Sequence, residues 1–263
     1  MHEALGYLGK SLVALAMAML FAGAALAAAV VQSMKGDVRA GPIGKPVAIV
    51  AVDQRLASGT TVVTGPDAQV ILRFDDGQQV VLDHSTHFRI ADFRYLEGDP
   101  RMDRSVFALL KGALRIISGA IAARNRAAVA LRTPQSTIGV RGTDFMVALV
   151  NPAYVSVLQG TVTSTNAAGT VAFGAGAIGS IATSATLAAE IPASALPEAA
   201  AAAFSNLSAV VVAGTAGGAT TAPGNPPRVL VSGRPADRPE LPLQPPKGLS
   251  RAFFGRPPSV SSK

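Results

Sequence analysis

The stretch TPQSTIGVRGTDF, residues 133–145, decides the fold of this chain. Pro134, following Thr133, cannot donate to a β-ladder, so the pair belongs at the start or edge of a strand. Gly139 and Gly142 supply backbone freedom of the kind a bulge or tight bend requires. Ile138 and Val140 share one parity, whereas Phe145, Val147 and Leu149 share the other. A bulge at Gly142-Thr143 reconciles the two and turns both sets inward. Arg141, between the glycines, is expected to reach a carboxylate, with Asp144 the near partner and Asp75 or Asp76 the distant ones. On that reading the arginine is a fastener and the segment a structural corner.

The text around it has the same grain. From Val38 to about Ile181, short apolar runs alternate with turn signals, as in VAIVAV–ASGT and AQVILRF–DDGQ–QVVL. Val70, Leu72 and Phe74 share a parity that Arg73 breaks, which marks a half-buried strand. Asp76-Gly77, between two such runs, is the strongest hairpin signal in the chain. MKGDVRA, LKGALRI and LQGTVTS echo one another around Gly36, Gly112 and Gly160, at unequal spacing. The expected fold is all-β: short antiparallel strands in two related halves, a sandwich or solenoid-like module over residues 28–183. FRYLEGDPRMDRSVFALLK reads as an exposed connection with a short helix after Pro100. Residues 184–221 read as an Ala/Ser/Thr-rich linker with a short helix near Pro197–Leu207 that Ser194 is placed to cap. Residues 222–263 read as a Pro-rich, basic, disordered tail.

The N-terminus sets the expected compartment. Lys10 precedes an apolar run from Leu12 to Ala22, and Ala25-Leu26-Ala27 follows, a pattern that signal peptidase accepts. The run is short for a bilayer crossing, which takes about 20 residues. Residues 1–27 therefore read as a signal peptide cut near Ala27, placing the mature chain in the periplasm or outside the cell. The chain has no cysteine, which removes thiolate catalysis and cysteine metal sites. Of the net charge of +7, an excess of five lies beyond residue 227. A basic tail on an exported protein suits weak contact with an anionic surface better than it suits nucleic acid.

Chemistry-bearing residues are sparse. His84 and His87, with Asp83 alongside, are three apart, so on a strand their imidazoles diverge and no metal site is expected. No G-x-S-x-G elbow occurs, nor a Ser–His–acid set. Asp75 and Asp76 abut Gly77 in the expected turn, where they bind backbone amides rather than flank a glycosidic bond. GAGAIGS at 174–180 lacks the βαβ setting of a dinucleotide site. The expectation is a protein without catalytic residues or cofactor.

At these residues the chain resembles a known family. TPQSTIGVRGTDFMV, preceded by LLKGALRI and followed by VSVLQGTV, resembles the FecR domain, and LASGTTVVTGPDAQVILRFDDGQQVVL resembles that domain's opening half. The resemblance implies an extracytoplasmic all-β module without known catalytic residues. In iron-citrate signalling regulators this module relays the state of an outer-membrane receptor to an anti-sigma domain inside the cell. Here only about ten residues precede the apolar run, so a cleaved, exported binding or scaffold module is the first expectation. Its partner would be an envelope protein or a cell-wall or surface polymer. A sigma/anti-sigma type signalling regulator is the alternative. An enzyme acting on polysaccharide is the least favoured reading, and it requires Asp75, Asp76, Asp83 and His84 to line one cleft.

Overall fold

The computed structural model describes residues 27–212; the expected signal peptide, the tail and the end of the linker lie outside those residues. The first half contributes β1 (Ala27–Lys35), β2 (Val38–Pro42), β3 (Ala48–Ile49), β4 (Arg55–Ala57), β5 (Thr60–Thr64), β6 (Gln69–Phe74), β7 (Gln79–Leu82) and β8 (His87–Arg94). There follow β9 (Arg104–Ile117), the short helix α1 (Ala120–Arg124), β10 (Val129–Arg132), β11 (Thr137–Leu149) and β12 (Ala153–Asn166). The described chain then adds β13 (Gly169–Gly174), β14 (Ile178–Ile181), β15 (Ala189–Ile191) and the helix α2 (Glu198–Ser208). None of the described helices is long and apolar enough to cross a membrane.

All the strands belong to one hydrogen-bonded network, but three of them pass through a corner that divides it into two layers. The front of β9 pairs with β8 and β10, whereas residues 112–117 pair with β11 and residues 114–117 with β7. In β11, residues 137–139 pair with β10 and residues 144–149 with β9. β12 does the same in reverse, pairing with β14 before the corner and β13 after it. The first sheet therefore holds β2, β3, β5, β8, β10, β13 and one end of each long strand. The second holds β1, β4, β6, β7, β14, β15 and the other ends. β10 lies parallel to β9 because the chain returns to it through α1; the other pairings are antiparallel.

Glycine makes the corner possible. Gly112, Gly142 and Gly160 sit where β9, β11 and β12 change sheets, with φ of +86°, +58° and +80°. A Cβ on Gly112 would stand 2.6 Å from the Thr86 Cα, and one on Gly160 would collide with the Gly142 carbonyl oxygen. Two of the three echoed glycines thus mark one physical device, and the third, Gly36 (φ +73°), turns the chain from β1 in the second sheet to β2 in the first. Gly112 and Gly160 thus lie inside β9 and β12 and form mid-strand corners.

The inner faces meet in one core that contains Val70, Leu72 and Phe74, as the parity of β6 requires. Phe74, Phe93, Phe107 and Phe88 form a chain of tilted ring contacts at 4.9–5.3 Å between Phe74 and Phe93, Phe74 and Phe107, and Phe88 and Phe107. Part of the outer face of the second sheet is buried too. Ile71, Val81, Met146 and Tyr154 lie beneath Ala200, Ala203, Phe204 and Leu207 of α2.

Two expectations need correction. The exposed connection is confined to residues 95–103, with a 3-10 turn at Pro100–Met102, because β8 runs to Arg94 and β9 starts at Arg104. Charged residues there mask an alternation in which Phe93, Ser105 and Phe107 point inward. The segment after residue 183 is no mere linker: β15 pairs with β14 and α2 forms a third layer. Pro197 occupies the helix N-cap position without a side-chain bond, so Ser194, in a separate 3-10 turn, does not cap it.

Candidate binding surface

Around the corner, the expected motif residues take identifiable parts. Thr133 closes the β10–β11 turn at Pro134, its hydroxyl accepting from the Ser136 N–H and donating to the Ser136 carbonyl. The register shift between Arg141 and Asp144 is the expected bulge, and Ile138, Val140, Phe145 and Val147 are buried on its two sides. A Cβ on Gly139 would stand 2.6 Å from the Thr163 hydroxyl. Thr143 is locked to Ser118, whose Oγ accepts from the Thr143 N–H at 3.1 Å and whose N–H donates to the Thr143 carbonyl at 2.9 Å.

The fastener exists, but it is another arginine. Arg115 donates through Nε and Nη2 to the two carboxylate oxygens of Asp144, at 2.8 and 2.6 Å. Both side chains are nearly buried under the end of α2. The hydrogen bonds to Asp144 raise the Arg115 pKa, with burial opposing them. Arg141 projects from the opposite layer, is exposed, and makes no ion pair with any described residue. The bulge explains the swap: it puts Asp144 on the outer face of the second sheet, in line with Met146 and Ala148. Arg115 was legible only as an outward position of LKGALRI.

Asp75 and Asp76 differ sharply. Asp75 is exposed, whereas Asp76 is buried. Gly77 beside it turns the hairpin at φ +82°. Asp76 accepts from the N–H of Gln78 at 2.9 Å and of Ile121 at 3.2 Å, which ties the hairpin to the start of α1. Burial pushes its carboxyl pKa up, and the two amide bonds only partly offset that. Gly119 permits the approach, since a Cβ there would stand 2.6 Å from the Asp76 Cγ. At the other end of α1, Arg124 binds both oxygens of buried Asp103, at 2.8 and 2.9 Å, and stacks 4.5 Å over the Tyr95 ring.

Asp83 and His84 follow the far end of β7 from Asp76, so the carboxylates do not share a cleft with Asp75 and Asp76. They line a polar hollow of about 330 Å³ with Lys35, Asp67 and Asn206. His87 stands on β8, on the first sheet, so the two histidines diverge. Among the described residues, no group of three His, Cys, Asp or Glu side chains converges.

One surface was not foreseen. The outer face of the first sheet has no covering layer among the described residues. Arg94 and Arg104 are directly opposed there across β8 and β9, and Arg89 flanks Ala108 on one side while Arg132 flanks it on the other. Arg141 shares the face, opposite Thr161 of β12. Arg94, Arg104, Arg132 and Arg141 are exposed, Arg89 is half-buried, and none of the five pairs with a described carboxylate. Between them runs a cross-strand row of mostly small side chains, Val106–Ala130–Gly139–Thr163–Ala172, with Asp92 at one end. Alternation puts most of these residues outward once the strands are known, but Asp92 and Arg94 share the face with Arg89 only through the register shift after Ile90, and the sequence could not say that separate strands align their arginines.

Comparison with known proteins fits this module. Residues 60–163 match the family model described as FecR protein. No curated protein matches the chain. Two crystal structures of a Parabacteroides distasonis protein described as an anti-sigma factor are similar at 14% identity, with a TM-score of 0.40. The likeness covers 50% of this chain and 58% of that one. The matched stretch runs from the start of β5 to near the end of β12 and contains the glycine corner.

Proposed function

We propose that the protein is an exported, non-catalytic FecR-type binding module of the bacterial envelope, contacting an envelope protein or polymer through the outer face of its first sheet. One observation carries the reading: α2 covers the part of the second sheet's outer face around Ile71, Val81, Met146 and Tyr154, whereas the first sheet has no such layer among the described residues and gathers five arginines that pair with no described carboxylate. Two like charges directly opposed, as Arg94 and Arg104 are, disfavour the sheet and point to a role outside it. The signal-like N-terminus supplies the compartment.

Capture from envelope extract tests this. The full chain should retain a protein or polymer that Arg89→Ser/Arg132→Ser/Arg141→Ser releases and that Lys35→Ser/Arg55→Ser/Arg73→Ser, with its changes on the second sheet, keeps. Equal retention by the two triple variants contradicts the reading. The FecR match favours one second reading, the extracytoplasmic part of a sigma/anti-sigma type regulator. Mass measurement of the exported protein separates the two, since an intact N-terminal anchor belongs to the regulator and loss of about 27 residues to the free module.

A further inference from the structure

The arginines on the first sheet are arranged in rows, and the rows have a direction. One wall is formed by Arg89 on β8 and Arg132 on β10, continued by Thr137, Thr165 and Thr170 on the next three strands. The other wall is formed by Arg94, Arg104 and Arg141, continued by Thr161. The floor between them is the small-residue row through Ala130 and Gly139. Each wall lies two residues along the strand from the floor, about 7 Å, and the row crosses six strands, about 24 Å. The result is a shallow trough perpendicular to the strands, positively charged on both sides and carrying hydroxyls at one end. The Nε of Arg89 is buried there without a hydrogen-bond partner.

We infer that this trough binds a linear acidic polysaccharide, with carboxylates held by the arginine walls and sugar hydroxyls by the threonine end. This rests on the binding-module reading above and names its partner. An extended chain with repeating carboxylates matches a straight trough charged on both walls, and guanidinium groups take carboxylates in bidentate fashion. Single-stranded nucleic acid is favoured by aromatic stacking platforms, and floor and walls here are small residues, threonine and arginine. A lipid surface needs apolar side chains to enter it; the floor offers one valine and two alanines. Asp92 at the end of the floor repels carboxylates and marks where the bound chain stops.

The test measures binding of the full chain to polygalacturonate, with dextran as the neutral polymer and with DNA and phosphatidylglycerol vesicles as rival polyanions. The protein should bind polygalacturonate in a salt-sensitive manner and ignore dextran. Arg89→Ser/Arg132→Ser/Arg141→Ser should weaken binding at least about tenfold, while Lys35→Ser/Arg55→Ser/Arg73→Ser stays within about twofold. Ala130→Glu keeps every arginine but puts a carboxylate on the floor, and should weaken binding to a similar degree. Equal losses in the two triple variants, full binding by Ala130→Glu, or a preference for DNA or vesicles would overturn the inference. If polygalacturonate fails while envelope capture still depends on the three arginines, the polysaccharide assignment falls and the binding module stands.

Discussion

The two outer faces of this protein are built from the same long strands and carry opposite chemistry. Before its corner, β9 sends Arg104, Val106 and Ala108 to an open face; after it, Ala113, Arg115 and Ile117 lie under α2. Arg115, beneath α2, has a bidentate carboxylate and a neighbouring helix end; the arginines on the open face have neither. Burial explains the difference. A guanidinium taken from water without a partner costs several kcal/mol, so the patch beneath α2 holds a paired one, while Arg73, on the same sheet but outside that patch, stays in water. In water an unpaired arginine costs little, and its position is free to answer to a ligand. A cationic side chain on a strand is thus to be read by what covers the strand, more than by its neighbours in sequence.

The largest test removes the corner on which both faces depend. Gly160→Val brings a β-branched side chain against the Gly142 carbonyl at a positive φ, and should cost more than about 3 kcal/mol, leaving no cooperative unfolding transition by circular dichroism. Arg115→Ala strands Asp144 beneath α2 and should cost about 2–3 kcal/mol in urea unfolding. Asp76→Asn probes the buried carboxyl with an upward-shifted pKa. The folded state holds this proton more tightly than the unfolded one, so the group's contribution is best below the ordinary carboxylate pKa and falls as pH rises above it. The asparagine variant should therefore lose less stability than the parent as pH rises from 3.8 through the shifted value, measured as urea midpoints. Arg141→Ser, exposed and unpaired, should stay within about 0.5 kcal/mol.

Much of the scaffold was legible in the sequence. The alternation in AQVILRF, the Asp76-Gly77 turn and the parity change across Gly142 are local signals, and each corresponds to a strand, hairpin or bulge in the fold. The echoed glycines pointed to a shared device without revealing it, because a corner needs three strands aligned at long range. Arg141 misled because proximity in sequence to Asp144 ignores the bulge that sends the two to different faces. The arginine trough was invisible for the same reason: Arg89, Arg104 and Arg132 become neighbours only through the β8–β9–β10 register, which no local pattern encodes. The near balance of charge outside the tail also hid the gathering of five arginines on one face.

Arginine-selective labelling of the full chain with phenylglyoxal, in the presence and absence of captured envelope material, addresses the central claim most directly. The peptides carrying Arg89, Arg132 and Arg141 should be protected on binding, while those carrying Arg55 and Arg73 react as before. Protection of Arg55 and Arg73 with the first-sheet arginines still open would contradict the account.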